Sequence, residues 1–327
     1  MKNRFNEIVL SKPFIYLLGV VLLAIVLRFA RFEDLATFGH DNSRDSIVSF
    51  KMFSYGEYIY VGPVFSVIWG YMSPIYYYML YPFYLIFNFS PISAQVASMI
   101  ANILALAVVI YVSYKFYGKA AAFISAVLFG FSVYIIIQGG EGLNPNLMLP
   151  FSILAFYVYV EWLKVGRSKF LYLFSFALSF VTALHPAGFF ILIPFAILYF
   201  FYRPKFHIKS LAISSIIYGI LGVLPYLIQE KKLAWWTIKQ LVNYLKSQDG
   251  EEVGFLTSVS NYFIAVLKNI SLTLFNNTNQ IEMIISSLIL GFILYEAIVF
   301  IKQKNNSTVL AFTLSIYLLV FGLEQNI

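Results

Sequence analysis

The chain has 327 residues, of which 61% are hydrophobic and only 11% are charged, and its mean hydropathy is +0.81. Soluble domains carry about 25% charged residues, so this composition excludes a soluble globular protein and predicts a single transmembrane domain, residues 1–327. The net charge is +7, but no basic cluster is interleaved with aromatic residues, so no nucleic-acid partner is expected, and the lack of cysteine excludes thiol chemistry.

The first hydrophobic run, residues 13–30, follows a short basic N-terminus, as the apolar region of a signal peptide would. It is long enough to cross a hydrocarbon core of about 30 Å, and no small-residue cleavage site follows it. The run therefore predicts a first span that is retained.

More than half of the 22 basic residues fall in five short segments, and the positive-inside rule places such segments in the cytoplasm. Consecutive cytoplasmic segments must be joined by an even number of spans. The hydrophobic runs that satisfy this parity predict an all-α polytopic protein of about nine transmembrane helices. These lie at about 13–30, 93–113, 120–137, 147–163, 170–185, 187–202, 210–228, 281–301 and 308–323.

One apolar run does not fit this parity. Residues 71–91 contain three prolines and six tyrosines, a composition that suits the membrane interface better than the bilayer core. We expect a juxtamembrane or re-entrant segment inside a first outer loop of about 32–93. The alternative, a tenth span at 72–90 that inverts the later topology, would place the basic segment at 115–119 outside.

A second large outer loop is predicted at about 229–280. It combines Trp235, Trp236 and several lysines with apolar residues at helical spacing. This pattern is typical of an amphipathic helix that lies in the interface, so membrane lipid is an expected partner.

The first outer loop contains a concentration of short carboxylates. If residues 42–53 are helical, Asp41 and Asp45 share a face, and Arg44 lies three residues from Asp41. In the structural interpretation Asp41 caps this helix and Arg44 pairs with it. In the functional interpretation Arg44 holds Asp41 ionised, so that it accepts a proton from an attacking hydroxyl. One such pair is a weak metal signal; the sequence requires no cofactor, and a divalent metal is unsupported.

Three further outer turns carry polar side chains at the same predicted membrane face, where a polar cavity could form. The residues concerned are Glu141, Asn144 and Asn146 in the first turn, His185 in a tight helical hairpin, and Glu230, Lys231 and Lys232 at the end of a span. A histidine beside proline is more often a satisfied turn residue, and a lysine pair at the end of a span is usually solvated.

The segments GHDNSRDSIVSFKMFSYGEYIYVGP and GYMSPIYYYMLYPF resemble the first outer loop of the GT-C glycosyltransferases. These are polyprenyl-phosphate-sugar-using membrane enzymes related to protein O-mannosyltransferases and the lipid A aminoarabinose transferase. Arg28 and Arg31, LNPNLMLPF, the His185 hairpin and LPYLIQE follow in the family's order, so the resemblance covers residues 13–235.

The resemblance implies transfer of a sugar from a polyprenyl-phosphate carrier to a hydroxyl of a protein, lipid or glycan at the extracytoplasmic face. The family's general base falls on Asp41, and Arg44 and Asp45 would orient it or bind substrate. Candidate substrate-binding residues are Arg28, Arg31, Tyr76, Glu141, Asn144, Asn146, His185, Glu230, Lys231 and Lys232. Ser73 stands where aminoarabinose transferases have a lysine, so the phosphate contact must differ or come from elsewhere.

Two other functional classes are compatible with a polytopic chain. A transporter or lipid flippase would need ionisable residues along a path, yet the predicted spans contain few, with Glu161 and Glu296 toward the cytoplasmic half, and no inverted repeat is evident. The other alternative is a non-catalytic relative that acts as a membrane scaffold.

Overall fold

Helices make up most of what the computed structural model describes, residues 12–30, 32, 39–65, 68–202, 204, 207–247 and 255–303. In chain order they are α1 (Lys12–Phe29), α2 (His40–Ser54), α3 (Ile75–Ile86), α4 (Ser93–Tyr117), α5 (Lys119–Phe131), α6 (Val133–Gly140), α7 (Asn144–Val165), α8 (Ser168–Leu184), α9 (Leu192–Tyr202), α10 (Ile208–Tyr218), α11 (Leu224–Lys232), α12 (Trp236–Ser247), α13 (Phe255–Phe275) and α14 (Gln280–Gln303). A 3₁₀ turn, Pro186–Ile191, precedes α9, and a π segment, Gly219–Val223, joins α10 to α11.

Among the residues that the structure describes, three helical segments are long and apolar enough to cross a membrane: α4, α7 and the continuous segment Ile208–Lys232. Two bent pairs raise this number to as many as five, namely α5 with α6, bent by 56°, and the end of α13 with α14, bent by 106°. The described part of the chain therefore has the architecture of an α-helical membrane protein. The part Ile15–Phe29 of α1, helix α8 and the segment Gly188–Tyr202 are apolar but shorter. The run predicted at 308–323 lies outside the described residues.

The main core lies where α7 packs between α4 and α8, with the 3₁₀ turn and α9 against it. Tyr159 of α7 is central to this core, because its hydroxyl donates to the carbonyl of Phe195 at 2.7 Å and its ring lies 4.6 Å from that of Phe174. Only two residues, Gly166 and Arg167, join α7 to α8, so the two helices are antiparallel neighbours.

A second core holds the first-loop helices on the bundle. Ala94, Ala97 and Ala101 are buried on one face of α4, and the tyrosine-rich helix α3 packs there together with α2. Helix α3 has 12 residues, which at about 1.5 Å per residue cannot cross a hydrocarbon core. This length agrees with the predicted juxtamembrane segment.

A two-stranded hairpin lies between α2 and α3. Strands β1 (Val64–Phe65) and β2 (Gly70–Tyr71) are antiparallel, and Val64 is paired with Tyr71. A Cβ atom on Gly62 would collide with the carbonyl oxygens of Met72 and Ser73, so the close approach of the two arms requires glycine at that position.

The second predicted outer loop contains more helix than the sequence indicates. Its first part forms the amphipathic helix α12, but α13 has 21 residues and packs against α14 in a small core around Val266 and Ile270. Polar residues such as Asn261, Lys268 and Asn269 interrupt the apolar pattern of α13, which is why the sequence favours an interfacial segment there.

The break between α5 and α6 is held by a buried arginine. The guanidinium of Arg28 donates to the carbonyls of Phe129 and Gly130 at 3.2 and 2.8 Å, to that of Ala24 at 2.9 Å, and to the side-chain oxygen of Asn102 at 2.7 Å. The break leaves carbonyls without helical partners, and in an apolar environment each would be costly. Arg28 is fully buried, so it supports this bend and does not reach a surface where a phosphate could bind.

We expect Arg28→Met to lower the free energy of unfolding by about 3 kcal/mol, because it leaves buried carbonyls and Asn102 unpaired. Arg28→Lys should recover part of the loss, since an ammonium group reaches fewer acceptors. Reversible unfolding in mixed micelles measures the difference. Lys115→Met, which removes an exposed cation from α4, is the matched control. An unfolding free energy that is the same in Arg28→Met and the control would contradict this role.

Candidate functional site

An open cleft of about 450 Å³ lies between α2, the segment Tyr58–Gly62 and the end of α11. Among the described residues its wall carries three cations, Arg44, Lys51 and Lys232, and one carboxylate, Glu57. Four tyrosines complete the polar part of the wall: Tyr58, Tyr60, Tyr71 and Tyr77. Volumes of several hundred Å³ are typical of small-molecule sites, and the excess of cations favours an anionic ligand.

Helix α2 places its charged residues differently from the capping interpretation. The helix begins at His40, its N-cap is Gly39, and no side chain caps it. Asp41 lies inside the first turn, where the helix dipole favours a carboxylate. The prediction that Asp41 caps the helix is therefore wrong, whereas its predicted pairing with Arg44 is present.

Arg44 joins the two aspartates of α2. Its Nη1 lies 2.7 Å from Oδ1 of Asp41, and its Nη2 and Nε lie 2.8 and 2.9 Å from Oδ1 of Asp45. The two carboxylates are not equivalent, because the side chain of Asp41 is 58% exposed and that of Asp45 only 3%. The buried carboxylate of Asp45 thus holds the guanidinium of Arg44 on its protein side, and the carboxylate of Asp41 faces solvent.

Burial raises the pKa of Asp45 above its ordinary value, although Arg44 and the hydroxyl of Tyr77 both favour the charged form. Tyr77 donates to Oδ1 of Asp45 at 3.0 Å, and burial together with this neighbouring carboxylate raises the pKa of Tyr77 well above its usual range. Tyr77 therefore stays protonated and acts as a donor. The result is a short chain of charge-assisted hydrogen bonds from α3 to the exposed Asp41.

The polar residues that the sequence predicts as substrate-binding make hydrogen bonds within and around the turn between α6 and α7. Asn144 donates to the carbonyl of Leu184 at 2.6 Å, Asn146 donates to that of Gln138 at 2.5 Å, and Tyr76 donates to that of Gly142 at 2.8 Å. Glu141 accepts from the amide of Gln138 at 3.0 Å, and burial raises its pKa. Asn144, Asn146 and Tyr76 thus hold backbone carbonyls and Glu141 holds the side chain of Gln138, and none of the four lines the cleft.

The end of α11 contributes one residue to the cleft. Lys232 places its ammonium 3.4 Å from the centre of the Tyr60 ring, a cation–π contact at the wall. Lys231 is exposed and is not part of the wall. Glu230 is buried below the start of α12, where its Oε2 accepts from the backbone N–H of Ile238 at 3.4 Å.

The remaining predicted site residues lie apart from the cleft. His185 follows α8, and its ring meets that of Phe65 in β1 edge-on at 5.8 Å. Arg28 lies at the bend between α5 and α6, and Arg31 lies outside the described residues. The structure therefore brings Asp41, Arg44 and Asp45 together, and of these three Arg44 shares the cleft wall with Lys232.

Sequence reasoning missed two cleft residues and the residue that holds the hairpin. Lys51 follows Arg44 by seven residues, a helical spacing that could have identified it as part of the same face. Gln229 accepts from the N–H of Gly62 at 2.9 Å and donates to the carbonyl of Tyr71 at 3.3 Å, and no local pattern indicates this role. Glu57 likewise lies in an irregular segment without a recognisable motif.

Within the described residues no three histidine or carboxylate groups cluster as metal ligands do. Comparison with protein-family models finds no match for this chain, and comparison with curated proteins finds none either.

The raised pKa of Asp45 sets the direction of a pH effect. The native state keeps the Asp45 proton to a higher pH than the unfolded state does, so this carboxyl's contribution to stability falls as pH rises above about 4. Tyr77→Phe removes a donor that favours the charged form of Asp45, so the decline in the free energy of unfolding should extend to higher pH in this variant. Thermal unfolding across the acidic and neutral range tests this, with Tyr58→Phe in the same cleft as control. Identical pH profiles for the two variants would contradict the coupling.

Proposed function

We propose that this chain is a membrane glycosyltransferase that moves a hexose or pentose from a polyprenyl-phosphate carrier to a hydroxyl of a protein, lipid or glycan. One observation carries the proposal. Arg44 binds both aspartates of the segment that resembles the GT-C first loop, and the same arginine forms part of the wall of a cation-rich cleft.

The cations of the cleft suit the leaving group. When the bond between the sugar's anomeric carbon and the phosphate oxygen breaks, negative charge develops on the phosphate. Arg44, Lys51 and Lys232 are placed to stabilise it, which lowers the barrier because the interaction strengthens in the transition state. The carrier would depart as polyprenyl phosphate.

Asp41 is the general base of this proposal. Its exposed carboxylate accepts the proton of the acceptor hydroxyl while the acceptor oxygen bonds to the anomeric carbon. Arg44 orients Asp41, because its Nη1 lies 2.7 Å from Oδ1 of that carboxylate. Asp45 is buried beneath Arg44, so we assign it the role of positioning this arginine.

The membrane topology of the proposal combines the nine predicted spans with the position of the cleft. Helices α2 and α3, which contribute to the cleft wall, pack against Ala94 of α4 and Leu147 of α7, so the cleft lies at the end of the bundle where α4 and α7 begin, which we name the cleft end. We assign the cleft end to the extracytoplasmic face, and the basic residues at the opposite helix ends support this assignment through the positive-inside rule.

The proposal is tested by incubating the reconstituted protein with polyprenyl-phosphate hexoses and pentoses and measuring released polyprenyl phosphate by mass spectrometry. We expect Asp41→Asn to reduce the rate by about 10²-fold or more, the usual contribution of a general base. Glu296→Gln removes a carboxylate from α14 and is the matched control. Release from none of the donors, or an undiminished rate in Asp41→Asn, would overturn the assignment.

A pair of adjacent lysines separates phosphate binding from general surface charge. Lys232→Gln should weaken the binding of polyprenyl phosphate about tenfold, because one charge-assisted contact is lost, whereas Lys231→Gln should leave it unchanged. Competitive inhibition of transfer by polyprenyl phosphate provides the measurement. Equal inhibition constants for both variants would remove Lys232 from the phosphate site.

A further inference from the structure

Helix α12 presents an apolar stripe that the described protein does not cover. Ile238, Leu241 and Val242 of this helix, and Trp235 just before it, are each more than 40% exposed. Leu241 and Val242 follow Ile238 by three and four residues, which places these three along one side of the helix. The three hydrophobic cores of the described residues contain none of them.

The flank of this stripe is basic. Lys239 and Lys246 are exposed and lie seven residues apart, hence on one side of α12. Residues 231–247 contain no acidic side chain that would neutralise them. An apolar stripe bordered by lysines is typical of a helix that lies on an anionic bilayer surface.

The position of α12 identifies what covers its stripe. The helix begins four residues after Lys232, the last residue of the candidate span Ile208–Lys232, so it starts at a membrane boundary. The turn between them is specific, since Ala234 and Trp235 adopt the left-handed region with φ of 50° and 62°. Glu230 fixes the new direction by accepting from the N–H of Ile238.

We propose that α12 lies in the interface of the leaflet at the cleft end. The stripe of Trp235, Ile238, Leu241 and Val242 is buried at the boundary of headgroups and acyl chains. Lys239 and Lys246 contact the phosphates of anionic lipids, which attract each lysine near the surface.

This lipid contact also determines where the cleft wall lies. The side-chain oxygen of Thr237 accepts from the N–H of Tyr71 at 3.2 Å, and the indole of Trp236 donates to the carbonyl of Trp69 at 3.0 Å. Tyr71 belongs to the cleft wall. A bilayer that holds α12 thus also holds the hairpin beside the cleft, and this inference does not rest on the proposed function.

The chain has no cysteine, so single nitroxide labels can be introduced without background. Leu241→Cys and Asn243→Cys form a matched pair, because residues two positions apart on an α-helix point to opposite sides, about 200° apart. In bilayers of phosphatidylcholine with phosphatidylglycerol, the label at 241 should be accessible to oxygen and shielded from a water-soluble nickel reagent. The label at 243 should show the reverse. Equal nickel accessibility, or shielding of 241 from both reagents by a second copy or another segment, would overturn the proposal.

The anionic preference has a separate readout. A fluorophore at Val242→Cys should be quenched more strongly by brominated phosphatidylglycerol than by brominated phosphatidylcholine, by at least about twofold. Lys239→Gln with Lys246→Gln should bring the ratio to one, whereas the control pair Lys115→Gln with Lys169→Gln should keep it. A ratio of one in the unsubstituted chain would refute the lipid preference. Neither measurement depends on sugar transfer, so failure here is distinct from failure of the proposed function.

Discussion

Buried backbone groups at helix breaks must find partners, and this constraint organises the polar residues of the chain. Membrane interiors offer no water to a broken helix, so a side chain from elsewhere has to supply each hydrogen bond. Arg28 does this at the bend between α5 and α6, Asn144 does it for the end of α8, and Gln229 does it for the hairpin. Tyr226 also donates to the carbonyls of Thr182 and Ala183 near the end of α8. Most buried polar side chains here therefore serve the backbone.

Against this background the cluster on α2 is distinct, because its members bind one another. Arg44 is paired with one buried carboxylate, that of Asp45, and one exposed carboxylate, that of Asp41. Tyr77 donates a hydrogen bond to the buried one. A buried charge is tolerated only when it is paired and hydrogen-bonded, so Asp45 and Arg44 depend on each other. The exposed Asp41 has no such structural obligation. This asymmetry distinguishes a carboxylate that is available for chemistry from one that holds the site together.

Hydropathy indicated the apolar helices α4, α7, α8 and α14, because a long run of apolar residues is a local property of the sequence, but it did not indicate α13. The tyrosine-rich run was correctly expected to be something other than an ordinary span, since its prolines and tyrosines report its environment directly. The roles of Arg28 and Asn144 could not be read in this way, because each has a backbone carbonyl partner that is 40 or more positions away in sequence. Lys51 was within reach of helical spacing from Arg44, whereas Gln229 contacts residues more than 150 positions away and leaves no local trace.

The π segment Gly219–Val223 keeps the buried residues of the span Ile208–Lys232 on one face of the helix. A step of four residues in a regular α-helix overshoots a full turn by about 40°. The buried positions Ser210, Ser214, Gly222 and Gln229 are mostly separated by multiples of about four, so in a uniform helix their line would wind around the cylinder. The wider turns of the π segment absorb the surplus residue. The residue count of this span is thus constrained as tightly as its hydrophobicity, because it sets the angle at which Gln229 meets the hairpin.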